Sequence, residues 1–280
     1  MTDYLARRVD ANDPGVVSAF DEVSLWAARF GLLLVEELIL VRGVHILDLG
    51  CGSGFPLFEL AHRHGPGAAL VGVDISAPAL KRAAFKQARY ALPQVALVRG
   101  DGAALPLRAA AFDLIVSNLG VNNFADARAV WRECARVARP GARLALTTNV
   151  KGHLREFYAV FRQVLADRGM TASLERLACH EAHRGTRDAL CAELEAAGFG
   201  VTRVVEEEWS LCFLDGAALL RHSLIRAGFL DGWRDVVAGN DGNEEAAVFA
   251  ELEARLDGLA AARGELRTTV PILYVESRRR

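Results

Sequence analysis

The chain has 280 residues, 52% hydrophobic and 24% charged, with 33 basic side chains against 35 acidic ones and a formal net charge of −2. Such a chain buries a large core and can form one large α/β domain, which excludes the polar, highly charged composition of a disordered protein. The balance offers no general attraction to nucleic acid or an acidic membrane, and five cysteines with no C-x-x-C pair predict a reducing, cytoplasmic compartment rather than a disulfide framework.

Met1-Thr2-Asp3-Tyr4 lacks the apolar core of a secretion signal. Asp13-Pro14 supplies an N-cap and a first-turn proline. Val17, Phe20, Val23 (or Ser24) and Ala27 then recur at three- and four-residue steps, which predicts helical structure over 16–41. Its most apolar stretch, Leu32 to Val41, contains Glu36 and Glu37 and is too short to span a membrane. Val44 to Leu49 reads as a buried strand running into Gly50-Cys51-Gly52-Ser53-Gly54, where alternating glycines let the backbone turn sharply and approach a ligand. Asp48 precedes the first glycine; a carboxylate there repels a pyrophosphate and suits a cationic amine or sulfonium. Cys51 reads as a small filler. A helix begins at Phe55-Pro56-Leu57-Phe58, with Phe55 where a dinucleotide motif needs its third glycine.

Ala69 to Asp74 is a second apolar strand ending in an acid, 20 residues past Gly54, a spacing that by itself also fits NAD. Ser76 caps a helix from Pro78 to Tyr90. A third strand, Val95 to Val98, runs into Arg99-Gly100-Asp101-Gly102 and then Ala104-Leu105-Pro106-Leu107. The fourth, Phe112 to Ser117, ends at Asn118, with Asp113 read as structural. Asp126 starts a helix carrying Val130, Trp131, Cys134 and Val137, and Arg139-Pro140-Gly141 announces a fifth strand at Leu144 to Thr147. His153 to Arg168 is amphipathic, with Leu154, Phe157, Phe161, Val164 and Leu165 on one face. A helix from Thr186 to Ala197 stops at Gly198-Phe199-Gly200, ahead of a long strand from Val201 to Phe213. Helices are expected at Ala217–Gly228, Leu230–Val237 and Asn243–Arg263. The last carries Phe249, Leu252, Leu256, Leu259 and a Glu251–Arg255 pair. The final strand is Thr268 to Val275.

The segment Asp48-Leu49-Gly50-Cys51-Gly52-Ser53-Gly54, the strand-end acid Asp74 and Gly100-Asp101-Gly102-Ala103-Ala104-Leu105-Pro106 stand in one order across roughly residues 40 to 150. Together they resemble the class I S-adenosylmethionine-dependent methyltransferases, and most closely the type 11, ubiquinone/menaquinone-biosynthesis-like small-molecule enzymes. The resemblance implies an α/β, Rossmann-like seven-stranded sheet with strand seven antiparallel, helices on both faces and a helical substrate-covering insertion. It implies S-adenosylmethionine as cofactor, with S-adenosylhomocysteine as product. On that pattern Asp74 accepts hydrogen bonds from both ribose hydroxyls and Asp101 meets the adenine amino group. The cofactor set is then Asp48, Gly50, Cys51, Gly52, Gly54, Asp74, Ile75, Asp101, Gly102, Asn118 and Leu119. The resemblance also implies N-terminal helices (1–43) closing over the core (44–150), with Phe20 and Trp26 near the methionine part. Residues 151–280 complete the sheet, and their insertions at about 151–185 and 215–265 serve as substrate cover.

The chemistry at the acceptor is less determined. Asn118 is not followed by the prolines of (D/N)-P-P-(Y/F), which argues against a flipped nucleic-acid base. Related enzymes carry histidine near 122–123; here Asn122 and Asn123 are amides, which orient a substrate but do not act as bases near neutral pH. His222 and His153 are the candidate bases. Cys179-His180-Glu181-Ala182-His183 is H-E-x-H rather than H-E-x-x-H, so no metal is expected. Phe157, Phe161, Trp209, Phe213, Phe229 and Trp233 predict a partly apolar acceptor. The reading is methyl transfer to an oxygen or carbon of a small organic acceptor. Carboxyl methylation of a carrier-protein-bound acid, and a non-catalytic S-adenosylmethionine-binding protein, stand beside it. Nitrogen acceptors and the oligomeric state stay open at this point.

Overall fold

A computed structural model describes residues 3–6, 8–10, 12–22, 25–239 and 242–280. The apolar runs that end in acids or glycines form the strands β1 (His45–Leu49), β2 (Ala69–Asp74), β3 (Val95–Arg99), β4 (Phe112–Asn118), β5 (Ala138–Asn149), β6 (Phe199–Phe213) and β7 (Leu266–Arg279). They make one sheet in the order β3-β2-β1-β4-β5-β7-β6. The pairs β1–β2, β2–β3, β1–β4 and β4–β5 are parallel, and β5–β7 is antiparallel. The order reverses at β1 and β4, so the carboxyl ends of those strands face the crevice where α/β sheets bind ligands.

The helices between the strands are α1 (Pro14–Glu22), α2 (Leu25–Glu37), α3 (Leu57–His64), α4 (Ala77–Tyr90), α5 (Ala127–Val137), α6 (Arg155–Asp167), α7 (Thr171–Ala182), α8 (Arg187–Ala196), α9 (Gly216–Arg221), α10 (Ser223–Gly228), α11 (Leu230–Val237) and α12 (Gly242–Arg263). Several begin at side-chain caps: Ser76, Asp126, Thr186 and Asp215 accept from the N–H groups of Ala79, Ala129, Ala189 and Ala218. Three helical expectations gain detail, and the one over 217–228 is corrected. The helical stretch expected over 16–41 forms two helices, α1 and α2; Val23 and Ser24 lie outside the described residues. The single helix over 217–228 is also two, because the backbone is extended at His222 (ψ 135°) and the imidazole caps α10. Residues 171–182, within the helical insertion expected at about 151–185, form α7. Among the described residues no helix is long and apolar enough to cross a membrane.

The chain divides into two compact units. The sheet unit comprises residues 12–149, 185–207 and 272–280. Its core is the central strands, with Ile46, Leu47, Leu114, Ile115, Val116, Leu144, Ala145 and Leu146 all buried. Asp113 is structural, as expected: it accepts from His45 N–H at 2.9 Å and from Arg139 at 2.6 Å. The helical unit comprises residues 1–11, 150–184 and 208–271. Phe157 stacks on Trp233 with ring centroids 4.0 Å apart, and Phe161 packs on Phe249 at 6.1 Å. Phe157, Phe161 and Trp233 are fully buried there, so they are core of this unit and not the acceptor-lining residues that their aromatic character suggested.

Candidate functional site

The site is built where β1 ends. Gly50, Gly52 and Gly54 all take positive φ (76°, 52° and 105°), a conformation that costs a Cβ-bearing residue dearly. The turn is held from inside the fold. Gly50 and Cys51 N–H both donate to Val73 O, at 2.8 and 3.1 Å. Gly52 N–H donates to Asp74 Oδ2 at 2.8 Å, and Gly54 N–H to Cys51 O at 2.8 Å. A phosphate-binding loop keeps its N–H groups aimed at the ligand. Here four of them are engaged by the protein, so the turn is not a pyrophosphate cradle. Cys51 is 1% exposed, and burial pushes its thiol pKa up, which suits a filler and not a nucleophile.

Asp48 is the anomaly of the site. It is 0% exposed, and neither carboxylate oxygen has a hydrogen-bond partner. Burial, and then the charge of Asp74, push its pKa up to about 8. A carboxylate orphaned in this way fits a ligand that brings positive charge to the strand ends, and disfavours one that brings phosphates.

Asp74 sits at the end of β2 and accepts from Gly52 N–H and Ser76 N–H, both at 2.8 Å, one on each oxygen. Each oxygen keeps a second lone pair, which suits two adjacent hydroxyl donors. Ile75, next in sequence, is 67% exposed, a large apolar side chain left bare beside that acid. Asp101 is exposed after β3; its Oδ1 accepts from Ala103 N–H at 2.9 Å and fixes a tight turn. Gly102 lies against Leu49 and Val130, where an added Cβ would come within 3.3 and 3.4 Å of their methyl groups.

The end of β4 carries a second special backbone. Leu119 takes φ +63°, and its N–H donates to Thr147 O at 2.8 Å. Left-handed non-glycine residues persist where the surroundings over-determine them, and they cluster at functional sites. The Asn118 side chain is engaged inward: its amide donates to Ala27 O at 3.0 Å and its oxygen accepts from Thr147 Oγ1 at 2.8 Å. It ties β4 to β5 and α2. Asn122 points its amide at Thr148 Oγ1 and Asn149 Oδ1 (2.8 and 2.6 Å), whereas Asn123 is exposed and caps Leu119 O at 3.2 Å. Phe20 and Trp26 are both half-buried, and Trp26 packs on Phe30 at 5.4 Å.

Two features of this site were invisible in the sequence. Asp21 of α1 accepts from Ser53 of the glycine turn, from Arg82 at 3.0 Å and from Lys86 at 2.8 Å, both on α4. Burial opposes ionisation, but Lys86, Ser53 and Arg82 together hold the Asp21 carboxyl below its ordinary range. This network pins α1 to the ligand turn. Gly31 of α2 lets the helix backbone lie directly on Phe55, since a Cβ there would sit 2.2 Å from the ring. Gly31→Ala is expected to lower stability by roughly 1–2 kcal/mol, the overpacking exceeding the gain in helix propensity. A fall in the urea midpoint at unchanged m-value would bear this out; an unchanged midpoint would show that Phe55 moves freely.

The two candidate bases lie in the helical unit. His222 Nδ1 accepts from Leu224 N–H at 3.2 Å, so that nitrogen is engaged as the cap of α10. His153 is 2% exposed, and burial with Arg184 and His180 pushes its pKa down to about 3, far too weak for a base near neutrality. Among the described residues no group of three or more His, Cys, Asp or Glu side chains is placed to hold a metal ion.

With that geometry in view, four similarities locate the chain among known proteins. A family profile described as a methyltransferase domain matches residues 47–146. Nocamycin O-methyltransferase of Saccharothrix syringae is 33% identical over 247 residues, covering 85% of this chain and 86% of that protein. Demethylmenaquinone methyltransferase of Lactococcus lactis subsp. lactis is 30% identical over 135 residues, 48% of this chain, and the chain spans about half (52%) of that relative. The YcgJ protein of Bacillus subtilis shares the fold, with TM-score 0.57 at 16% identity over 90% of this chain and 99% of that one.

Proposed function

The chain belongs to the class I S-adenosylmethionine-dependent methyltransferases that act on small molecules, and we propose that its methyl acceptor is an oxygen on a small, partly apolar organic molecule. The observation that carries the oxygen assignment is the similarity to nocamycin O-methyltransferase, which extends over 85% of the chain and far beyond the 47–146 core. The similarity to demethylmenaquinone methyltransferase covers 48%.

When bound, S-adenosylmethionine supplies an electrophilic methyl group on a sulfonium. The chain's task is then to hold that group and exclude water. In this reading Asp74 takes the two ribose hydroxyls on its free lone pairs, Ile75 lies along the adenine and Asp101 accepts from the adenine amino group. Asp48 balances the cationic methionine end from beneath the glycine turn. Gly50, Cys51, Gly52, Gly54, Gly102, Asn118 and Leu119 shape the backbone around it. Phe20, Trp26, Asn122 and Asn123 stand beside the methionine part and orient the acceptor. Well-aligned reactants gain up to roughly 7–11 kcal/mol from positioning alone, so an acceptor that is already ionised needs no base. That fits a chain whose His153 is held far below neutrality by burial and whose His222 has its Nδ1 engaged as a helix cap.

The test is a labelled-methyl transfer assay with a panel of phenols, enolised β-dicarbonyls and carboxylic acids, alongside calorimetric titration with S-adenosylmethionine, S-adenosylhomocysteine and NAD. Micromolar binding of the first two, none of NAD, and label on oxygen are expected. Label on carbon would overturn the acceptor assignment.

A further inference from the structure

Strand β6 stands last in the sheet order, so among the described residues no strand lies beyond it and one backbone edge is left without a neighbour. It is also the longest strand of the sheet, at 15 residues against 14 in β7. Val201-Thr202-Arg203-Val204-Val205 gives its first half strong β propensity, and no proline interrupts it. Such an edge is a template for another strand unless charge, proline or a covering element blunts it. Here Thr202, Arg203, Val204 and Glu206 are exposed, and Val205 and Glu207 are half-buried. Arg203, Val205 and Glu207 fall on one face of the strand. Helix α2 meets that face through its charges: Arg203 pairs with Glu37, and Arg29 with Glu207, each at 2.5 Å. The Arg203 side chain is still 56% exposed and that of Glu207 34%, so neither charge is closed off by its partner.

A second copy that adds to this edge across a two-fold axis normal to the sheet pairs antiparallel. Antiparallel pairs alternate between hydrogen-bonded and non-hydrogen-bonded kinds. If the numbers of two opposed residues summed to an odd value, the axis would exchange two neighbouring pairs, which are of different kinds. Only even sums are allowed, so some residue sits opposite its own copy on the axis. Of the acids Glu206, Glu207 and Glu208, Arg203 can therefore oppose Glu207 alone, and Val205 then lies on the axis. That register sets Arg203 against Glu207 twice and Val204 against Glu206 twice, with no like charges opposed. Centring on Arg203, Glu206 or Glu207 instead would set a charge against its own copy. Each new contact also joins two ion pairs that are already present. Glu37, Arg203, the second copy's Glu207 and the second copy's Arg29 form a row of alternating sign. The charges that would ordinarily guard an edge strand here attract a second copy in one register.

We propose that the β6 edge is the interface of a homodimer, with Val205 on the two-fold axis and Arg203 opposed to Glu207 of the second copy. The two seven-stranded sheets then run on as one. This interface does not depend on the cofactor or acceptor reading above.

The test is sedimentation equilibrium of the full chain over a range of concentrations, with half-dimerisation expected between about 10 and 100 μM, the weak association of a small interface. The fitted mass should rise from 30.3 kDa towards twice that value. Arg203→Glu and Glu207→Arg each oppose like charges twice, so each alone should raise the dimer dissociation constant about 10-fold or more. Mixed in equal amounts, the two variants should associate again, because every 203–207 contact between them joins opposite signs. Val204→Lys sets a cation against Glu206 and should tighten the dimer about 3-fold, the opposite of what a lysine on an unpaired edge does. A parent chain that stays at 30.3 kDa throughout would overturn the interface. So would a dimer undisturbed by either reversal, a mixture no more associated than its parts, or a dimer loosened by Val204→Lys.

Discussion

Asp74→Ala is expected to bind S-adenosylmethionine about 1000-fold more weakly than the parent chain. Two losses combine. The first is direct: two hydroxyl donors lose a charged acceptor, and a hydrogen bond to an ionised group contributes about 1.5–3 kcal/mol. The second is architectural. The same carboxylate receives Gly52 N–H and Ser76 N–H, both at 2.8 Å, so its removal frees the middle of the glycine turn and loosens the entry to α4. Two controls separate the losses. Asp74→Asn keeps one acceptor oxygen and is expected to retain part of the turn while losing most of the affinity. S-adenosylhomocysteine has the ribose but lacks the sulfonium, so it should lose as much as S-adenosylmethionine does. Calorimetric titration of the three proteins measures all of this. A loss smaller than about 10-fold in Asp74→Ala would take the ribose away from Asp74, and a loss confined to S-adenosylmethionine would mean that charge, not the hydroxyls, is what Asp74 senses.

The parts of this site that could be read from the sequence are those where one residue does a local job. Asp48, the three glycines, Asp74 and Asp101 each sit at a strand end whose apolar run announces it, and Ser76, Asp126 and Thr186 each cap the helix that follows within three residues. What could not be read is of two kinds. Some helix boundaries lack a conventional signal: α9 and α10 divide at His222, which caps α10 although histidine is not a usual N-cap residue and no glycine or proline marks the break. Other features join distant residues. Asp21 meets Ser53, Arg82 and Lys86 across 32, 61 and 65 positions, and periodicity says nothing about such pairs. The aromatic residues failed in the opposite direction. Phe157, Phe161 and Trp233 look like a ligand cage in the sequence, yet they fill the helical unit's own core, because composition cannot say which side of an aromatic ring is already covered.

Asp48 should make the stability of the ligand-free chain depend on pH, and Asp48→Asn should abolish that dependence. Its pKa rises from an ordinary 3.8 to about 8 in the folded chain. For an acid raised on folding, the folded state binds the proton more tightly than the unfolded state does. The stability so conferred is complete below pH 4 and is lost as pH climbs through about 8, on the order of 5 kcal/mol in all at about 1.4 kcal/mol per unit. The parent chain without ligand is therefore expected to melt roughly 5–10 °C lower at pH 8.5 than at pH 6. Asp48→Asn, which is never charged, should show little of that fall and should be the more stable protein at pH 8.5. The cofactor inverts the comparison. A cationic ligand favours the ionised carboxylate, so near pH 7 the parent should release close to one proton per S-adenosylmethionine bound, and its affinity should rise by up to tenfold per pH unit towards pH 8. Calorimetry in two buffers of different ionisation heat counts that proton. Asp48→Asn should release none from this position and bind S-adenosylmethionine at least about tenfold more weakly, despite its gain in stability. A variant that is more stable but binds worse is the signature of a residue kept for its ligand and not for the fold. If the parent melts identically at both pH values and releases no proton, Asp48 carries its charge unaided, and the cationic end of the cofactor must find its balance elsewhere.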